Sequence, residues 1–126
     1  MQTPEGRIVA CLVNAVKARG WEQRKVSYEA RAGAPDRLIL APGYHCFIEV
    51  KAPGMKPRPL QEKEHERLRR SGFNVFVVDS ELAVRSIVGY IASVVEHSRL
   101  RIGDKFDRAQ PPRVKVTRRY GGEENF

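Results

Sequence analysis

No stretch of this chain is apolar for long enough to cross a bilayer. Its opening residues, Met-Gln-Thr-Pro-Glu-Gly, lack both the basic start and the apolar centre of a secretory signal. A cytoplasmic location without membrane contact is the expectation. Cysteine is scarce: Cys11 and Cys46 stand far apart, with no Cys or His beside either at ligand spacing. That argues against a structural zinc site and for two reduced, buried thiols. Aromatic residues are few, and Trp21 and the tyrosines do not interleave with basic residues, so no stacking platform for single strands is indicated. Repeats and interdomain linkers are also missing. At 126 residues the chain has room for one domain and none for a separate recognition domain.

What is present begins with charge. Lys and Arg number 23 against 15 Asp and Glu, a net charge of +8. Such an excess favours a polyanionic partner, and nucleic acid is the simplest one. An apolar share of 41% is ordinary for a folded domain with one core.

The first helix starts at Thr3-Pro4-Glu5, a capping residue, a first-position proline and an acid at the positive end of the dipole. Ile8, Val9, Leu12, Val13 and Val16 recur at helical spacing, and Gly20 stops the helix. Glu22 to Arg31, which contains Val26, Ser27 and Tyr28, is expected to be a first strand. Arg37-Leu38-Ile39-Leu40 and His45 to Lys51 are two further strands, with a turn at Pro42-Gly43. A Pro/Gly loop over 52–59 precedes a very polar helix, Leu60 to Arg70, which has only Leu60 and Leu68 as apolar contacts. Phe73 to Val78 is nearly all apolar and is expected to be a central strand. Glu81 to His97 is an amphipathic helix. The expected fold is α/β in the order α-β-β-β-α-β-α, a central mixed sheet flanked by helices. Residues 1–97 form this domain. Residues 98–126 form a basic extension, with Arg113 to Thr117 as a possible edge strand and a loose end after Gly121.

The stretch from Pro35 to Lys51 carries the chemistry. If Ala41 pairs with Tyr44 across a two-residue turn, Asp36 lies opposite Glu49; with a four-residue loop it lies opposite Lys51. Side chains alternate with period two, so either register puts Asp36, Glu49 and Lys51 on one face. Two nearby carboxylates suit Mg²⁺ or Mn²⁺, and the Val50 carbonyl can add a backbone ligand. Lys51 would then lie beside the same phosphate, where an ammonium stabilises developing charge or orients water. An exposed, salt-bridged hairpin would show the same three residue types. The proline before the aspartate, the apolar flanks and the basic chain weigh towards a metal site for phosphodiester cleavage.

Pro35-Asp36 and Glu49-Val50-Lys51 resemble the core motif of the PD-(D/E)xK nuclease superfamily. Gly33-Ala34-Pro35-Asp36-Arg37-Leu38, then Phe47-Ile48-Glu49-Val50-Lys51-Ala52-Pro53-Gly54, Leu60-Gln61 and Gly72-Phe73-Asn74-Val75 resemble its VRR-Nuc branch. Members of that branch occur as small stand-alone phage and bacterial proteins and as nuclease domains of larger DNA-repair enzymes. The resemblance covers residues 3–97. It implies a restriction-endonuclease-like core, with Asp36, Glu49 and the Val50 carbonyl as Mg²⁺ or Mn²⁺ ligands and Lys51 as the catalytic lysine. It makes Gln61 a contact to the water or phosphate region, and it gives Glu5 an approach to a metal. It also implies a homodimeric endonuclease acting on branched DNA such as four-way (Holliday) junctions, in a bacterial or phage-infected cell.

Lys56, Arg58, Arg69 and Arg70 are the candidate DNA-phosphate contacts, with the tail arginines beside them. Arg37 points away from the site face, so a structural partner is expected for it. His65 falls one turn after Gln61 but reads as a solvated histidine on a polar helix; His45 and His97 receive no role. The competing reading is a non-catalytic basic DNA-binding or assembly module with a weak metal site.

Overall fold

In helix α1 (Pro4–Ala18), the Thr3 hydroxyl accepts the Gly6 N–H at 3.0 Å, and Pro4 opens the first turn. The computed structural model describes residues 2–102, 115–117 and 123–125, with side chains described through residue 98. After α1 come β1 (Glu22–Lys25), β2 (Arg37–Ala41), β3 (Tyr44–Val50), α2 (Pro59–Arg70), β4 (Asn74–Val78) and α3 (Glu81–Ile102). Two short strands, β5 (Lys115–Thr117) and β6 (Glu123–Asn125), pair antiparallel in a separate two-stranded sheet. The alternation at 113–117 therefore marks a strand at 115–117, which does not extend the central sheet. The strand at 123–125 lies where a loose end was expected. Lys105, Arg108, Arg113, Arg118 and Arg119 lie outside the described residues.

The central sheet has the order β1-β2-β3-β4. The first three strands form an antiparallel meander, and β4 joins β3 in parallel after the α2 crossover. Ala41 pairs with Tyr44, so the hairpin turn holds only Pro42 and Gly43. Gly43 has φ 73°, a left-handed value that a side chain would resist. Proline followed by a glycine of positive φ matches a type II turn.

One face of the sheet carries the core. Ile8, Leu12 and Val16 of α1 and Val84, Val88, Ile91 and Val95 of α3 close over Ile39, Ala41, Cys46, Ile48, Val50 and Val78. Leu12, Ile48 and Ile91 are fully buried, the kind of position where truncation to alanine costs about 2–5 kcal/mol. Cys46 belongs to this core, and burial pushes its thiol up to about 12, which makes it unreactive. Trp21 packs against the same cluster at the end of α1.

Three expectations need correction. The first strand is shorter than expected: Glu22–Lys25 is strand, and Val26 to Asp36 is loop. β4 lies at the sheet edge, not its centre. Its apolar run arises because α3 covers one face and α2 part of the other, while Val77 stays 38% exposed. The buried residues of α2 are Glu64 and His65, with Leu68 half-buried beside them, while Leu60 is 63% exposed. That helix is anchored to the sheet by polar groups instead of a leucine stripe. Among the described residues, no helix is long and apolar enough to cross a membrane.

Candidate active site

The sheet face away from α1 and α3 holds the site. Arg37 pairs with Ile48, so continuing the register puts Asp36 opposite Glu49 and Pro35 opposite Val50. The two-residue-turn alternative is thus the observed one, and Asp36, Glu49 and Lys51 share the face covered by α2. Arg37 points to the other face, where its guanidinium donates to Gln23 Oε1 at 2.9 Å. The structural partner expected for it is Gln23.

The proline before Asp36 has a definite consequence. Asp36 accepts the Val26 N–H through its backbone carbonyl at 2.9 Å, so its main chain bonds towards β1. Alternation then turns the main chain of residues 35 and 37 towards β3. Pro35, fully buried, has no N–H to give to the Val50 carbonyl opposite it. The Val50 N–H finds its acceptor in the Asp36 carboxylate, Oδ2 at 2.8 Å. One side-chain oxygen of Asp36 is thereby fixed, and the Val50 carbonyl is left without a donor from β2.

Glu49 is completely buried. Its Oε2 accepts Gln61 Nε2 at 2.5 Å and lies 3.4 Å from Lys51 Nζ. Its Oε1 is buried with no partner. A buried carboxylate oxygen without a partner is costly, and a proton or a hard cation would relieve that cost. Burial pushes the Glu49 carboxyl up to about 7; the adjacent Asp36 carboxylate adds to the rise, and Lys51 opposes it.

Gln61, from the first turn of α2, ties the cluster together. Its Oε1 accepts Lys51 Nζ at 2.8 Å and the Arg58 N–H at 2.9 Å, while its Nε2 holds Glu49. Both ends of the amide are therefore engaged by the protein. Gln61 orients the glutamate and the lysine, and it closes the N-terminus of its own helix through Arg58.

The outer candidates are placed less uniformly. Glu5 is exposed on the first turn of α1. Among the described residues no three of His, Cys, Asp and Glu come together around a metal position, so Glu5 does not join Asp36 and Glu49 in a cluster. Lys56, Arg58 and Arg70 are exposed, and Arg70 lies 3.7 Å from Glu66. Arg69 is engaged differently: its guanidinium donates to the Val75 carbonyl at 2.8 Å.

His65 overturns its expected solvated state. It is 1% exposed, with Nε2 buried and unpartnered, and burial together with Arg69 and Lys51 lowers its pKa. Tyr28 and Glu64, neither singled out from the sequence, are joined by a hydrogen bond of 2.7 Å. The missed signal was position: 61, 64, 65 and 68 share one helix face. With Gln61 on the site, Glu64 and His65 had to face inward whatever their polarity.

No family model matches the chain. Over 78 residues, 61% of this chain and 84% of the relative, it is 44% identical to "Putative nuclease p44" of Acyrthosiphon pisum secondary endosymbiont phage 1. A solved structure described as a VRR_NUC domain matches with a TM-score of 0.66 and 44% identity, covering 70% of this chain and 97% of that one. The chain belongs to the VRR-Nuc family. In this chain Asp36, Glu49, Lys51 and Gln61 are brought together by one strand pair, one crossover helix and one shared face.

Proposed function

We propose that this VRR-Nuc chain is a Mg²⁺- or Mn²⁺-dependent endodeoxyribonuclease that hydrolyses phosphodiester bonds in branched DNA, four-way junctions included, as a homodimer. The observation that carries the metal reading is the state of Glu49: a buried carboxylate beside Asp36, with one oxygen held by Gln61 and the other unpartnered. A hard cation fits that donor set, two carboxylates and a freed backbone carbonyl, better than any neutral group. Asp36, Glu49 and the Val50 carbonyl would hold it, with water completing the shell. When bound, such an ion lowers the pKa of a water and offsets charge on the phosphate.

The chain's own groups do the rest. Asp36 is oriented by the Val50 N–H and Glu49 by Gln61, so neither must reorganise when DNA arrives. Lys51 has three donors. Gln61 takes one at 2.8 Å and Glu49 lies 3.4 Å away, which leaves a donor for a phosphate oxygen or the attacking water. In hydrolysis the water oxygen bonds to phosphorus, the bond from phosphorus to one sugar oxygen breaks, and that oxygen takes up a proton. Lys56, Arg58 and Arg70 would hold the DNA backbone beside the site. Branched DNA and a dimer belong together in this reading. A junction needs two symmetric cuts, and a two-fold pair of chains supplies two sites.

The test is a cleavage panel of four-way, flapped and linear DNAs with Mg²⁺ or Mn²⁺, run on the wild type and Glu49→Ala beside sedimentation analysis. Junction cutting lost in Glu49→Ala with binding retained is expected. Wild type that binds but cuts nothing would leave the binding-module reading. A chain monomeric on junction DNA would remove the paired-cut version alone.

A further inference from the structure

Between β1 and β2 the chain makes a closed loop whose base is the bond from the Val26 N–H to the Asp36 carbonyl, 2.9 Å. The loop therefore ends on the first carboxylate of the site. Its side is pressed against α2. The Tyr28 hydroxyl donates to Glu64 Oε2 at 2.7 Å, and Glu64 is only 7% exposed. Arg31 of the same loop lies 3.3 Å from Glu64 Oε1, and Arg67 lies 3.7 Å from it, both at the exposed rim where ion pairs add little. The backbone meets the helix equally closely at Gly33. A Cβ there would stand 2.9 Å from the Leu60 carbonyl oxygen and 3.2 Å from Glu64 Cβ, and its φ is 98°. Ala30 is also left-handed, at φ 53°, a strained value that persists only where the surroundings enforce it.

Glu64 lies three residues after Gln61 on the same face of α2. Whatever fixes Glu64 fixes the turn that holds Gln61 on Glu49 and Lys51. We propose that Tyr28 is a positioning residue of the nuclease site: through Glu64 it latches the loop ending at Asp36 to the helix that presents Gln61. The two halves of the site, the Asp36 strand and the Gln61 helix, are thus registered to one another by a contact outside the site. This rests on the nuclease reading for its effect on catalysis, but not for the latch itself. The hydroxyl remains a donor at any working pH, since burial and the Glu64 bond push it up to about 12.

The test uses Tyr28→Phe, Glu64→Gln and Gly33→Ala, with two readouts. Hydrogen exchange of the metal-free protein reports the first turn of α2, and steady-state cleavage reports kcat and KM separately. Tyr28→Phe should expose the α2 first turn to faster exchange and lower kcat about ten- to a hundredfold, with KM for DNA unchanged within about twofold. Glu64→Gln keeps an acceptor for the hydroxyl and should retain most of kcat. Gly33→Ala pushes the loop from the helix by a different route and should resemble Tyr28→Phe. Unchanged exchange, or faster exchange with full kcat, in Tyr28→Phe would overturn the proposal. A wild type that cuts no DNA defeats the nuclease reading instead, and the exchange arm still reads the latch.

Discussion

Glu49 is the residue on which the site turns. In the folded chain its carboxyl sits at about 7 instead of 4.5, because it is buried beside Asp36. A raised folded value means that the native state binds the proton more tightly than the unfolded chain. Its contribution to stability is full below about 4.5 and is lost as pH rises to about 7. His65, lowered by burial, has the opposite sign: its contribution is present above its ordinary value and is lost as pH falls. The two oppose each other in mildly acidic solution, so a comparison with Glu49→Gln is needed to separate them. In EDTA, the melting temperature of Glu49→Gln should rise relative to wild type between about pH 5 and pH 7.5. A metal ion reverses the preference, since it binds the carboxylate. Mn²⁺ affinity by calorimetry should fall about tenfold per pH unit below about pH 7 and level off above it. That Asp36, Glu49 and Lys51 share one face was legible from spacing and strand alternation. His65 and Glu64 were not, because on a polar helix residue type says nothing about which face is inward until one contact fixes it.

At the scale of elements, the hairpin was readable because period two gives the same shared face for a turn of two or of four residues. The two-residue turn then settled which residues are opposed. The expected central position of β4 failed for a physical reason: an apolar run records burial on both faces, and helices can supply that burial at an edge as well as in the middle. β1 ends early because the Val26 N–H makes the last bond to the neighbouring strand, at Asp36, and Tyr28 beyond it turns to Glu64 of α2. The strand ladder also carries a prediction. Pro35→Ala restores an N–H opposite the Val50 carbonyl. Mn²⁺ affinity should drop several-fold as the carbonyl gains a competing donor, while the net effect of one hydrogen bond on stability stays near about 1 kcal/mol. Calorimetry and thermal melting on the same variant check both; an affinity equal to wild type would mean that the carbonyl is no ligand.

For the whole molecule, the +8 net charge was the broadest signal, and the described bearers differ in their surroundings. Lys56 and Arg58 stand exposed in the loop beside the site, while Arg69 is bonded to the strand edge. DNA affinity measured against salt should therefore respond unequally. Removing Lys56 and Arg58 together should make the log–log slope shallower by about two. Arg69→Ala should leave the slope unchanged and lower the melting temperature instead.

That arginine bears on a separate matter. The Lys51 N–H bonds the Val78 carbonyl at 2.9 Å, so alternate carbonyls of β4, Val75 among them, face outward from the sheet. Arg69 occupies the Val75 carbonyl with a bulky cation. A bare, apolar outer strand is a template on which another chain can crystallise into fibre. With that carbonyl engaged and a cation planted beside it, the edge of β4 offers a second chain one acceptor fewer and a charge to displace.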